Sequence, residues 1–322
     1  MAIKTLGRNS SKAYKAVWDR TGYRTPGDFY YTTNKWYGSR GVYIGGWESN
    51  VVNTMDYFTI ASTGNASDFG DLANSRQYLG ATSNGSRGIA AGGYSTSIYY
   101  ITIATTSNSS SFGSLTVQRG GLAAVCDGAQ ACFMGGYQSS AYNTIDYVVV
   151  STTGNATDFG DLTQALDTGA PANDTTRGLC AAGNNSSGNR INTIDYITIA
   201  TPGNAADFGD YGESMGYAAG CSSTTRGAFG GGHTGSGYST SMYYVTIQTL
   251  GNANSFGGIT QARFSLAGCS DASRGLFGGG KNSNGNPSDV VDYFPIDGAG
   301  SGATDFGNLS NGRQGISACA GT

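Results

Sequence analysis

Three landmarks recur in fixed order from about residue 40 onward, and that recurrence limits the fold more than any other feature of the chain. The first is an Arg-Gly pair entering an apolar run that ends in glycines: Arg40-Gly41-VYIGG, Arg87-Gly88-IAAGG, Arg177-Gly178-LCAAG, Arg226-Gly227-AFGGG and Arg274-Gly275-LFGGG, with Gln130-ACFMGG as the variant. The second is a Tyr-centred segment: TMDYFTI, SIYYITI, TIDYVVV, TIDYITI, SMYYVTI and VVDYFPI, holding Tyr57, Tyr100, Tyr147, Tyr196, Tyr244 and Tyr293. The third is a Phe-Gly element at Phe69, Phe112, Phe159, Phe208, Phe256 and Phe306.

The tyrosines are 43, 47, 49, 48 and 49 residues apart. A period of about 40–50 residues has room for four short strands and their turns, which is the size of a propeller blade. Apolar residues alternate in steps of two rather than three or four, which favours strands over helices. In TIDYITI, Ile194, Tyr196 and Thr198 fall on one side and Asp195, Ile197 and Ile199 on the other. A further strand precedes each Arg-Gly turn, as in RQYLGATS from Arg76, RGGLAAVC from Arg119 and RFSLAGCS from Arg263. The final Arg313-QGISACAG matches that strand, whereas the turn at Arg40 has no convincing copy before it. The last strand is therefore expected to complete the sheet begun at Arg40, pairing the chain ends and leaving no open edge. The expected fold is all-β: a six-bladed β-propeller over residues 39–322, closed by its C-terminal strand, with an arm at residues 1–38.

Composition agrees with short strands and tight turns. Glycine contributes 53 residues, tyrosine 21, proline 5, and charged residues 12%. No strict glycine period suggests collagen, and a net charge of −3 argues against disorder. No apolar run approaches the length of a membrane span, and the basic start lacks the apolar segment of a secretory signal. The cysteines at 126, 132, 180, 221, 269 and 319 show no CxxC spacing, and the last three fall at one place in successive repeats. Buried, reduced thiols made in a cytoplasm are the expectation, with disulfides the alternative.

The order of the inner strand, Arg-Gly-glycine strand, tyrosine strand and outer aromatic resembles the Kelch repeat across residues 39–322, with Phe where Kelch usually has Trp. The GNATDFGDL and NTIDYITIA phrasing is similar to Kelch-like repeat proteins of tailed, particularly marine, bacteriophages. That resemblance implies a virion structural component, capsid decoration or tail part, made in a bacterial cytoplasm and resident in the particle.

Residues 1–40 hold Lys4, Arg8, Lys12, Lys15, Arg20, Arg24, Lys35 and Arg40 against Asp19 and Asp28, a net +6 beside −9 for the remainder. The tryptophans at 18, 36 and 47 lie in or just beyond this stretch. A basic, aromatic arm on an acidic body suggests docking, because Trp, Tyr and Arg make the strongest interface anchors. Lys4, Arg8, Lys12, Lys15, Trp18, Arg20 and Arg24 are the expected contacts to other virion subunits. The alternatives are packing of the arm over the repeats and, with no motif in support, nucleic-acid binding.

Catalytic candidates are few. His233 is the one histidine, its counterparts in other repeats are Asn, Tyr or Lys, and it reads as a loop residue. Only Glu48 and Glu213 represent glutamate, which leaves little for a two-carboxylate glycosidase. The aspartates of the DFGD elements, such as Asp158 and Asp161, recur by repetition and read as turn residues capping N–H groups, with weak calcium binding as the lesser alternative. The Arg-Gly arginines are expected to bond neighbouring carbonyls, since Gln130 replaces one of them; a cationic ring is the alternative. The repeated tyrosines are expected in the core between blades. The chain is thus expected to be non-enzymatic, without metal or cofactor, and to act as an interaction scaffold. A glycan- or receptor-binding module used in host recognition is the alternative.

Overall fold

A computed structural model of the chain describes residues 18–19, 22–23, 35–300 and 302–322. Residues Met1–Thr33 and Asn34–Thr322 form separate compact units. In the first, Trp18–Asp19 and Gly22–Tyr23 pair as a short antiparallel ladder. The second is entirely strands and turns among its described residues, in a propeller-like arrangement.

Each sequence repeat forms four antiparallel strands. In the first repeat these are, from the axis outward, Ser317–Gly321, Arg40–Trp47, Val51–Thr59 and Ser67–Asp71. The C-terminal strand does lie beside Arg40–Trp47, with Ser317 opposite Ile44 and Gly321 opposite Arg40. The expectation of six separate blades needs correction. Four blades stand free as four-stranded sheets, while the third and fourth repeats share one eight-stranded sheet. The cause is local. The outer strand Thr157–Asp167 continues past its DFGDL element and meets Arg177–Asn185, pairing Leu166 with Asn185 and Asp167 with Asn184. The same joint is a single bridge at Gly120–Tyr137, Gly216–His233 and Trp47–Gln314. At Arg263–Phe264 with Lys281–Asn282 it is a separate two-residue ladder.

The core does not sit in one central mass. Six clusters of buried side chains each lie between two successive repeats, and the cluster of Tyr43, Phe58, Leu276, Val291, Phe306 and Ile316 joins the last repeat to the first. The two sides read from TIDYITI are both covered: Ile194 and Tyr196 pack toward the fifth repeat, whereas Ile197 and Ile199 pack toward the third, where Asp195 bonds Thr163.

Two devices lock successive repeats, and a third orders each repeat internally. Each Arg-Gly arginine donates to a carbonyl ending the tyrosine strand of the next repeat: Arg40 to Ile103, Arg87 to Val150, Arg177 to Ile247, Arg226 to Ile296 and Arg274 to Ile60, at 2.8–3.0 Å. Gln130 does the same to Ile199 at 2.7 Å. The guanidinium also lies 4.0–4.8 Å over the centroid of its own repeat's tyrosine, as Arg226 does over Tyr244. These tyrosines are half-buried platforms, edge-on to the following phenylalanine, rather than core residues. Finally, the DFGD elements lie in outer strands, not turns. Their glycine admits the next repeat's loop: a Cβ on Gly307 (φ 146°) would lie 2.2 Å from the carbonyl oxygen of Gly64. The loop's asparagine then accepts from the backbone N–H after that glycine, as Asn65 does from Asn308 at 3.1 Å. Asp68 and Asp207 do accept locally, from Gly70 and Gly209.

Candidate functional site

The frame converges on the axis at a closed belt of backbone hydrogen bonds. Tyr78, Gly121, Thr168, Tyr217, Ser265 and Gly315 stand just before the innermost strands, all with φ between 56° and 71°. Each N–H donates to the carbonyl of the preceding member. Tyr78 donates to Gly315 (2.6 Å), Gly121 to Tyr78 (2.7 Å), Thr168 to Gly121 (2.7 Å), Tyr217 to Thr168 (3.2 Å), Ser265 to Tyr217 (2.9 Å) and Gly315 to Ser265 (2.9 Å). Left-handed backbone suits glycine, yet four of these positions carry Cβ, and Thr168 is β-branched. Such strain of about 1–3 kcal/mol per residue persists where surrounding structure enforces it, and it concentrates at functional sites.

Around this belt stand the residues that follow each Gly-Gly, or Ala182-Gly183 in the fourth repeat: Trp47, Tyr94, Tyr137, Asn184, His233 and Lys281. Most of them pair through the backbone with the residue just before the belt, as Tyr137 does with Gly120 and His233 with Gly216. One backbone geometry thus presents a different side chain in every repeat. The landmark arginines, tyrosines and Phe-Gly pairs recur from repeat to repeat, whereas at this position the side chain varies. Tyr94 and Tyr137 are exposed, whereas Asn184 is buried and the others are half-buried.

One sector of this rim is densely built. Tyr217 lies 6.2 Å from Tyr78 and 5.5 Å from Phe264, centroid to centroid, with the Arg190 guanidinium 5.4 Å from its ring centre. His233 and Tyr238 pack against Phe264. Asn184 donates to the Thr168 hydroxyl at 3.1 Å, while its side-chain oxygen is buried with no hydrogen-bond partner. Burial pushes the Asp167 carboxyl up to about 6, against the hydrogen bond from Asn184 and the charge of Arg190. Burial raises the Tyr78 and Tyr217 phenols, and burial with the nearby Arg190 lowers His233. The His233 Nδ1 accepts from the Gly235 N–H at 2.8 Å, which occupies the nitrogen a general base would use.

Between the innermost strands, a cavity of about 90 Å³ opens beneath Tyr78, Thr168, Tyr217 and Ser265 and is walled by Leu79, Leu122, Pro171, Leu266 and Ile316. Farther down the same strands a second cavity is lined by Thr82, Asn173, Ser222, Ser270 and Trp36, whose carbonyl accepts from Ser83 at 3.0 Å. All six cysteines are buried and unpaired, and burial raises their thiols, Cys132 and Cys269 to about 12. Among the described residues no group of three His, Cys, Asp or Glu side chains is placed to hold a metal ion.

Of the residues expected to contact partners, Lys4, Arg8, Lys12, Lys15, Arg20 and Arg24 lie outside the described residues, and Trp18 is described only as strand backbone. The rim was missed from sequence although its signal is there: the positions after Gly-Gly and before each innermost strand vary while their neighbours repeat. The fold and rim define a class, a propeller-like repeat ring with one diversified face. The chain matches no family model and no curated protein.

Proposed function

We propose that the protein is a non-enzymatic interaction scaffold of a tailed-phage particle, a Kelch-like ring that uses its diversified rim as the contact face. The observation that supports this most is the division of labour between positions. The repeated arginines and DFG glycines hold one repeat to the next, and the repeated tyrosines and phenylalanines stack on each other within a repeat and against the cluster it shares with its neighbour. The residues left to vary are gathered on one rim, on backbone held rigid by the belt. Rigid backbone carrying varied side chains lowers the entropy cost of binding, which suits recognition better than turnover. The basic segment of residues 1–38 is the proposed attachment to neighbouring subunits, and the rim is the proposed contact face. Host-surface recognition through the rim is favoured over a purely architectural role by the exposed Tyr94 and Tyr137.

Mass spectrometry and cryo-microscopy of particles purified from producing cells test this reading. The chain should appear at a stoichiometry fixed by particle symmetry, and a chain starting at residue 34 should fold but fail to incorporate. Absence from purified particles would overturn it.

A further inference from the structure

We infer that the Tyr217 sector of the rim is a saccharide-binding site, in which the aromatic faces of Tyr217 and Tyr94 pack against a sugar ring while Asp167, Asn184 and Arg190 bond its hydroxyls. This inference rests on the reading of the rim as a contact face and names the ligand class.

The chemistry of the sector selects that class. A pyranose has one face of C–H groups, which packs on aromatic rings, and an edge of hydroxyls, each both donor and acceptor. It needs aromatic surface beside planar groups able to donate or accept in pairs: carboxylate, carboxamide and guanidinium. Tyr217 has Tyr78, Phe264 and the Arg190 guanidinium about it. The exposed Tyr94 ring stands edge-on to Tyr78 at 6.1 Å. Asp167 and Asn184 face each other across the ladder that joins the third and fourth repeats, and the Asn184 amide is fixed by Thr168. No other repeat carries that trio.

One further observation points to a ligand. The Asn184 carboxamide oxygen is buried without a donor, a state that native structures rarely leave unexplained. Gly216 makes room for it, since a Cβ there would lie 2.3 Å from that oxygen. The cavity of about 90 Å³ beneath the belt shares only Tyr217 with the proposed contacts, so the proposed site is the rim surface above it. A protein partner fits less well, because the exposed large apolar side chains of the belt and the ring around it are the two tyrosines, without the aliphatic centre a stable protein interface buries.

Saturation-transfer NMR of the full chain against methyl glycosides of glucose, galactose, mannose, N-acetylglucosamine and sialic acid tests this. At least one should receive saturation on its ring C–H protons with millimolar affinity. Tyr217→Ala should weaken it about tenfold or more, and Asp167→Asn several-fold. Lys281→Ala, elsewhere on the same rim, should leave it unchanged. Should Tyr217→Ala fail to fold, Asp167→Asn and Arg190→Gln carry the test. No transfer to any glycoside at tens of millimolar, or equal binding by the Asp167 and Lys281 variants, would overturn the inference. If no sugar binds while Tyr94→Ala still impairs host attachment by particles, the saccharide inference fails and the rim reading stands. If a sugar binds but the chain is absent from particles, the particle reading fails and the site stands.

Discussion

Asp167 sits half-buried beside the belt, and burial holds its carboxyl near 6 against an ordinary value of 3.8. A carboxyl raised in the folded state binds protons there that the unfolded chain has already lost. Stability from this group is therefore present below about pH 4 and falls as pH rises through about 6. Asp167→Asn should be more stable than the parent by about 1 kcal/mol at neutral pH, after discounting for the solvent that still reaches the group. The two should melt together near pH 4. Urea melts at both values check this, and a variant less stable than the parent at neutral pH would show that the carboxylate is held by stronger partners than Asn184 and Arg190. Thr168, at φ 56°, bears a second local cost. Thr168→Gly should stabilise by about 1 kcal/mol in the same melts, less the loss of its bond with Asn184.

At the level of strands, the decisive pairs are arginines at the end of one repeat with aspartates in the tyrosine strand of the next. Arg119 meets Asp146 at 3.0 Å, Arg313 meets Asp56 at 2.6 Å, and Arg263 meets Asp292, all fully or almost fully buried. Burial alone would lower each arginine, and its aspartate opposes that. Asp195 occupies the same place with Leu166 where the arginine would be, and bonds only Thr163. Burial raises its carboxyl. Arg313→Met should therefore cost about 3–5 kcal/mol by stranding Asp56, whereas Asp195→Asn should cost little or stabilise. Chemical denaturation of the two variants checks the contrast; equal losses would mean that the ion pair with Arg313 is not what offsets the burial of Asp56. These pairs mark what the sequence revealed and what it withheld. Strand order, the closing strand and the inter-repeat role of Arg40 and its equivalents were legible, because each depends on residues within one period. Arg119, Arg263 and Arg313 read only as strand markers, because which aspartate each meets is set by the stagger between sheets. The merger of the third and fourth repeats hangs on a two-residue ladder at Leu166–Asp167, too short to leave a pattern. The Tyr217 sector joins residues from four repeats, and only the folded ring brings them together.

Across the whole ring, stability comes from interfaces between neighbours, so no repeat is complete without the next, and closure decides whether the first and last bury their faces. The strand Ser317–Gly321 supplies that closure: it pairs with Arg40–Trp47, and Arg313 just before it reaches Asp56. Deleting residues 317–322 exposes Val42 and Ile44 along an unpaired edge, so the expected result is an aggregating chain without a cooperative melt. The covalent break itself should matter little. A Cβ on Gly38 would lie 2.2 Å from the carbonyl carbon of Gly321, so the backbone at both places is already in contact. A circular permutant of residues 35–322 follows from this, with a short Gly-Ser linker joining Thr322 to Lys35 and new ends in the exposed turn at Ser186–Ser187. It should remain monomeric, with a melting temperature within a few degrees of the uncut form of residues 35–322, because every inter-repeat contact survives. Scanning calorimetry with size-exclusion chromatography reads both outcomes. A permutant that melts far below the uncut chain would mean that the chain ends meet under strain. A deletion that still melts cooperatively as a monomer would mean that the repeats stand without closing the ring.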